Sequence, residues 1–302
     1  MMGQYAKGSD VVLATATKSY VEVAYNWIYR LRNTPYHHNY LVVGMEDGLC
    51  DMLKDITKKQ SHTIPIDGVM CLQIDHPAFG LGNATLNISW SYWQKRTQVI
   101  IKILELGFNV LHSDVDAIWM RPPFGVGHPI TGTGHDIVFS RGGYPGDIAR
   151  QWGFGTSCMG LVYFRSTSSR IIELLKISLK HGDDQSGINR ALLSWEMRWQ
   201  DYTPIAGAQE GVPMKLKKDS VSDSQIFSVL NVPPEIVLRD CQNMELPGTL
   251  FVAHCLSGNR GEEKIRSFHR RHLFFDDVLP RSRLLGSRSS RHLHDEVDDF
   301  VG

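Results

Sequence analysis

The first third of the sequence alternates short apolar runs with longer segments of helical periodicity, and this alternation limits the fold more than any other feature. Strand character falls on residues 11–17, 41–45, 69–74 and 108–112. Helical spacing falls between them, on residues 20–32, 48–58 and 91–106. In the first of these helices Val23, Trp27 and Leu31 recur on one face, and Gly107 is a good stop for the last. Strand, helix, strand, helix predicts an α/β fold with a mostly parallel, Rossmann-like central sheet and helices on both faces. Ligands of such sheets bind beyond the carboxyl ends of the strands.

The second half is less regular. Residues 136–140 and 160–164 read as strands. Residues 167–180 read as a helix with Ile171, Leu174, Leu175 and Leu179 inward, and residues 187–199 as a second helix. Residues 236–239 and 250–253 are short strand candidates. No repeat and no strong linker divides the chain, so residues 10–275 are expected to form one domain. Residues 280–302 hold few apolar side chains, with Arg, Ser and Asp clusters, and are expected to be a disordered tail.

Composition excludes some classes. The chain has 302 residues with 32 Lys plus Arg against 32 Asp plus Glu, so no basic excess points to nucleic acid. No run of about 18 apolar residues predicts a membrane span, and residues 1–10 lack the apolar centre of a signal peptide. The chain is therefore cytoplasmic, or an N-terminal anchor precedes it. Five cysteines form no C-x-x-C pair, and their odd number leaves at least one outside an intrachain disulfide. The redox compartment stays open at this level.

The chemistry concentrates where the fourth strand ends: Phe108-Asn109-Val110-Leu111-His112-Ser113-Asp114-Val115-Asp116. In an extended segment, side chains two apart point the same way, so Asp114 and Asp116 converge on one cation. Carboxylate oxygens suit Mg²⁺ or Mn²⁺, which also hold diphosphate oxygens. The apolar Ala117-Ile118-Trp119-Met120 that follows argues against an ordinary exposed acidic turn. A second polar group, Asp183-Asp184-Gln185-Ser186-Gly187-Ile188-Asn189, lies between two predicted helices. Asp184 there is either a helix N-cap or, with Gln185, a group beside a reacting sugar carbon. His254 ends the apolar run 250–253 and completes an Asp, Asp, His metal set or is a core histidine. Lys264 offers a point charge for a phosphate or is a solvated surface lysine. The glycine-rich stretch 153–160 reads as a loop entering the strand that follows it. It matches neither G-x-G-x-x-G nor a P-loop, and H-E-x-x-H and G-x-S-x-G are absent.

Taken in order, these segments resemble the nucleotide-diphospho-sugar transferases of glycosyltransferase family 77. The tightest match is residues 107–123, where the strand, the Asp-x-Asp and the Trp-x-x-Pro that follows all agree. The resemblance implies a GT-A fold and a retaining transfer from a UDP-sugar donor to a glycan or glycoprotein acceptor. Mn²⁺ is the usual metal, with Mg²⁺ as the alternative. It assigns Asp114, Asp116 and His254 to the metal, and Asp114, Thr15, Thr17 and Lys264 to the donor. Asp184 and Gln185 fall beside the anomeric carbon, and Asn189 has a structural place in the same motif. The spacing from His254 to Lys264 is longer than usual, with residues 257–263 reading as an insertion. Many relatives are Golgi proteins with an N-terminal anchor. Two further readings compete. A phosphohydrolase that uses Asp114 as nucleophile would open its domain with this motif, whereas here a long run of strands and helices precedes it. A transferase-like chain that binds a nucleotide-sugar or glycan without turnover is the other.

Overall fold

The computed structural model describes residues 9–32, 39–59, 69–74, 86–214, 227–239, 250–254 and 261–274. The expected tail at 280–302 lies outside these residues. The first half follows the predicted alternation: β1 (Asp10–Ala16), a 3₁₀ turn (Lys18–Tyr20), α1 (Val21–Arg32), β2 (Asn39–Gly44), α2 (Leu49–Lys59), β3 (Val69–Gln73), α3 (Leu86–Glu105) and β4 (Asn109–Ser113). Then come β5 (Ala117–Trp119), β6 (Ile137–Gly142), α4 (Gly146–Trp152), β7 (Thr156–Phe164), α5 (Ser169–Ser178) and α6 (Asp184–Ser194). The chain continues through β8 (Met197–Asp201), β9 (Gln209–Pro213), β10 (Val229–Val232), β11 (Val237–Leu238), β12 (Val252–His254) and α7 (Gly261–Arg270).

Nine strands form one sheet in the order β3-β2-β1-β4-β7-β6-β10-β9-β8. Only β7 and β9 run against the others, so the sheet is mostly parallel as expected. A small second sheet has the order β11-β12-β5.

The pleat of β1 divides the core. Val12, Ala14 and Ala16 face one apolar layer with Val23, Trp27 and Leu31 of α1, Leu53 of α2 and Phe268 of α7. Val11 and Leu13 face the other, with Ile100 and Leu104 of α3, Leu174 of α5 and Leu192 of α6. Each fully buried Val, Leu or Phe contributes roughly 1.5–3 kcal/mol, and the side chains are buried on both faces of β1, which explains its unbroken apolar sequence.

The helix expected over 187–199 ends at Ser194 instead. Glu196 takes a positive φ of 53°, and Met197–Asp201 then pairs with β9 as an edge strand, its Met197 and Trp199 packing inward. The glycine-rich loop is also shorter than expected, because β7 already starts at Thr156. Its pairing with β6 shifts register between Phe139 and Ser140. On its other side β7 pairs with β4 in unbroken register to Ser113 and Leu161, and one step further the Gly160 carbonyl accepts the Asp114 N–H at 2.7 Å.

From β1 the chain first adds β2 and β3 on one side, then crosses to place β4 on the other. The crevice of a doubly wound sheet opens at such a reversal, beyond the carboxyl ends of β1 and β4. Thr15 and Asp114 stand there.

Candidate active site

Asp114 and Asp116 do not lie in extended chain. β4 stops at Ser113, and a tight turn closed by Ala117 N–H to Asp114 O (2.9 Å) leads into β5. The two carboxylates converge because the chain turns, and the alternation expected from the sequence plays no part. Ser113 braces the turn from behind, accepting the indole N–H groups of Trp27 (3.0 Å) and Trp119 (3.2 Å). β5 pairs antiparallel with β12, and Ala117 lies opposite His254. That pairing brings in a ligand remote in sequence. His254 Nε2 lies 3.2 Å from Asp116 Oδ1 and 3.5 Å from Asp114 Oδ2. One ligand atom from each of Asp114, Asp116 and His254 falls within 4.8 Å of the others.

Gly160 makes the approach feasible. A Cβ there would stand 2.4 Å from His254 Cε1 and 2.5 Å from Asp114 Oδ2. No larger residue fits beneath the cluster.

Lys264, expected at the donor phosphates, is buried in α7 with its Nζ 2.7 Å from Asp116 Oδ2. It is therefore not a solvated surface lysine. Burial works to raise the Asp116 pKa, but the His254 and Lys264 charges outweigh it and hold the carboxyl below the usual range. Asp114 goes the other way, lifted by burial more than Arg96 and His254 lower it. Burial also disfavours charge on His254, yet Asp116 and Asp114 lift its pKa to about 10. Two close carboxylates demand positive charge between them, from a proton on the imidazole or from a cation.

Asp184 is the first residue of α6, and the cap is its neighbour. Asp183 Oδ1 accepts the Ser186 N–H at 2.8 Å. Asp184 is thus released from the capping role and turns inward to Arg96. The Arg96 Nε donates to Asp184 Oδ2 at 2.7 Å, its Nη2 also reaches Oδ2, and its Nη1 donates to Asp114 Oδ1 at 2.5 Å. Burial lifts Asp184 to about 6 despite Arg96. Gln185 is half-buried, and its Nε2 donates to the Tyr144 carbonyl at 2.7 Å, which leaves Oε1 for another partner. Asn189 clamps α6 onto β7, accepting Ser157 N–H (2.8 Å) and donating to Ser157 O (2.7 Å). Gly142 keeps this corner open, since a Cβ would meet Arg239, Gln185 and Thr156 side chains at 2.9 Å.

The two threonines separate. Thr15 is buried at the end of β1, where its Oγ1 accepts the Tyr92 hydroxyl at 3.0 Å. Thr17 lies beyond the strand, partly exposed, with its hydroxyl 3.1 Å from Ser19 Oγ.

Arg96 and Tyr20 were not singled out from the sequence. Arg96 lies on the stripe Tyr92, Arg96, Ile100, Leu104, which faces the core, and an arginine there is a signal of a buried charge partner. Tyr20 is half-buried beside the cluster, its pKa raised to about 12 by burial, then by Asp116, Asp114 and Glu263.

The model of the nucleotide-diphospho-sugar transferases matches residues 36–199, more than half of the chain. The chain belongs to that family. Its α/β sheet is the one the resemblance implied, and the phosphohydrolase reading falls away. Among curated relatives of this chain, the UDP-D-xylose:L-fucose alpha-1,3-D-xylosyltransferase MGP4 of Arabidopsis thaliana is 25% identical over 119 residues, 39% of this chain and 31% of the relative. The beta-arabinofuranosyltransferase RAY1 of Arabidopsis thaliana is 30% identical over 124 residues, 39% of this chain and 20% of the relative. The matches thus span a third or less of those relatives. Of solved structures, the WbbM bifunctional glycosyltransferase superposes with a TM-score of 0.44 at 12% identity, over 90% of this chain and 53% of that one. The galactosyltransferase LgtC superposes with a TM-score of 0.36 at 13% identity, over 60% of this chain and 69% of that one.

Proposed function

We propose that this transferase is a retaining enzyme that moves a sugar, a pentose or galactose, from a UDP-sugar to a glycan or protein acceptor. The observation that carries the reading is the convergence of Asp114, Asp116 and His254 at the β1/β4 crevice, joined to Asp184 through Arg96.

Two carboxylates and one imidazole make an oxygen-rich donor set that suits Mn²⁺, with Mg²⁺ as the alternative. Asp114, Asp116 and His254 would hold the ion, which when bound neutralises the diphosphate and acts as a Lewis acid for the departing nucleotide. Lys264, fixed against Asp116, supplies a further positive charge on the phosphate side. Thr15 and Thr17, at and beyond the end of β1, lie where a base and ribose enter the crevice.

On the sugar side, Arg96 holds the Asp184 carboxylate by a fork and keeps it from drifting toward the cation set. The Tyr144 carbonyl fixes the Gln185 amide nitrogen, so Oε1 can face a carbon that gains positive character as the nucleotide leaves. An acceptor would approach past Tyr144, which is 55% exposed. The pentose preference follows the xylosyl- and arabinofuranosyltransferase names of the relatives.

The Cys50–Cys71 disulfide ties α2 to β3 and supports an oxidising compartment, the Golgi lumen, over the cytoplasm. Among the described residues no helix is long and apolar enough to cross a membrane.

The test is UDP release from UDP-xylose, UDP-galactose, UDP-glucose and UDP-arabinofuranose, each with Mn²⁺ and with EDTA. Metal-dependent release from one donor supports the reading and names the sugar. Binding of a UDP-sugar without release across a broad acceptor panel would favour a non-catalytic binder instead.

A further inference from the structure

Arg239 is a part-buried arginine with no place in the metal or donor set. It follows β11, whose parallel pairing with β12 ends at Leu238 and Ala253. The next residue on each strand is Arg239 and His254, so the small sheet that delivers the histidine delivers the arginine beside it. The side chain of Arg239 reaches the corner over Gly142. A Cβ on Gly142 would stand 2.9 Å from Arg239 Nη1, Gln185 Nε2 and Thr156 Oγ1 alike. Three hydrogen-bond donors thus meet over one glycine.

Two of the three are occupied. Gln185 Nε2 and the Thr156 hydroxyl both donate to the Tyr144 carbonyl, each at 2.7 Å. Arg239 is not held in this way. Among the described residues it makes no ion pair, and its one hydrogen bond is the 3.5 Å contact of Nη1 with the Arg141 carbonyl. Its Nε is buried with no acceptor. A guanidinium is always charged, and its planar fork of five N–H donors matches a carboxylate in a bidentate pair.

The position of the charge selects its partner. The diphosphate has the cation set and Lys264 on its own side. Arg239 stands on the nitrogen side of the Gln185 amide, by the Tyr144 segment past which an acceptor approaches. Hydroxyls of a neutral sugar would give it dipoles but no counter-charge. A sugar oxidised at its exocyclic carbon brings the anion itself.

We propose that Arg239 binds the carboxylate of a uronic acid, so that the acceptor is an acidic glycan. The proposal rests on the reading of Gln185 as the group beside the reacting sugar.

The experiment measures binding to the full chain with Mn²⁺ and UDP, by saturation-transfer NMR titration. The ligands are the methyl glycosides of galacturonic and glucuronic acid, each against its neutral counterpart, galactose or glucose. Wild type, Arg239→Gln and Arg239→Lys are compared after thermal melts confirm folding. In a second arm, calorimetry compares UDP-glucuronate with UDP-glucose in Mn²⁺. We expect wild type to favour at least one acidic glycoside over its neutral counterpart by at least roughly tenfold. Arg239→Gln should bring that ratio close to one, and Arg239→Lys should keep an intermediate ratio. A preference confined to the two UDP-sugars would put the carboxylate on the donor and overturn the assignment to the acceptor. Equal binding, or no binding, of acidic and neutral ligands by wild type in both arms overturns the role of Arg239. So does an acid preference that survives undiminished in Arg239→Gln. If wild type binds no UDP with Mn²⁺, the transferase reading itself fails and the proposal falls with it. Should the variants fail to fold, the wild-type glycoside ratio decides: an acid preference supports the proposal and its absence overturns it.

Discussion

Arg96 grips Asp184 from inside the protein, with its Nε 2.7 Å from Oδ2, while the far end of the same guanidinium donates to Asp114. One cation therefore joins the carboxylate assigned to the reacting sugar with the carboxylate assigned to the metal. Side-chain exposure is 4% for Arg96 and 5% for Asp184, so neither charge has water as an alternative partner. Removing one member of a buried pair strands the other, at a cost of about 3–5 kcal/mol. Arg96→Ala is expected to lose that much stability in urea denaturation and nearly all UDP release. Arg96→Lys keeps the charge but cannot span both carboxylates, so it should recover more stability than activity. An active Arg96→Ala transferase would show that the link has no catalytic consequence.

Gly160→Ala tests the floor of the site. The added methyl would meet His254 Cε1 at 2.4 Å and Asp114 Oδ2 at 2.5 Å. Both are on short side chains in packed surroundings, so overpacking should cost about 1–3 kcal/mol and UDP release should fall at least roughly tenfold as the ligands part. Gly143→Ala, where nothing lies within 4 Å of the new carbon, serves as the control and should behave as wild type. Equal activity of the two variants would contradict the packing described.

Gln185→Ala should lower kcat while donor affinity stays near wild type, because the amide is assigned to the reacting carbon and not to the nucleotide. Steady-state kinetics with calorimetry of donor binding separates the two. A rise in donor Kd with unchanged kcat would move Gln185 into ground-state binding.

His128 supplies a pH dependence away from the site. Its Nδ1 accepts the N–H groups of Ile130 and Thr131, both at 3.2 Å, so the ring must stay neutral there. Burial lowers its pKa from 6.5 to about 4, against a smaller upward pull from the Pro122 carbonyl. A folded pKa below the unfolded one means that the unfolded chain binds the proton first. The stabilisation is complete above pH 6.5 and is lost as pH falls toward and through 4, about 3 kcal/mol at about 1.4 kcal/mol per unit. His128→Asn keeps a side-chain acceptor without the titration. Urea denaturation between pH 7 and pH 4 should show a shallower decline for this variant than for wild type. Parallel declines would exclude His128 as the source.

Several parts of this picture were legible in the sequence. Phe108, Val110 and Leu111 are apolar because β4 is buried, and the carboxylates that follow from Asp114 marked the carboxyl edge of the sheet. The first-half elements followed their periodicity for the same reason, since local spacing fixed which faces were covered. What stayed hidden depends on partners far along the chain. Nothing local shows that β12 lies against β5, which sets His254 beside Asp116, or that an arginine in a long amphipathic helix meets Asp184. Residues 197–199 fall at the end of the helix expected over 187–199, since Trp195 and Trp199 keep a four-residue spacing, and only the pairing with β9 makes them strand.

The central claim is that Asp114, Asp116 and His254 bind the donor diphosphate through a divalent cation. Calorimetric titration of UDP into the full chain tests it most directly, with Mn²⁺, with EDTA, and in Asp116→Asn with Mn²⁺. Asn is chosen because it keeps the shape beside Lys264 and His254 while removing the charge. The account predicts binding by wild type with Mn²⁺, and a loss of at least roughly tenfold in affinity in EDTA and in the variant. Equal UDP affinity under all three conditions would contradict it.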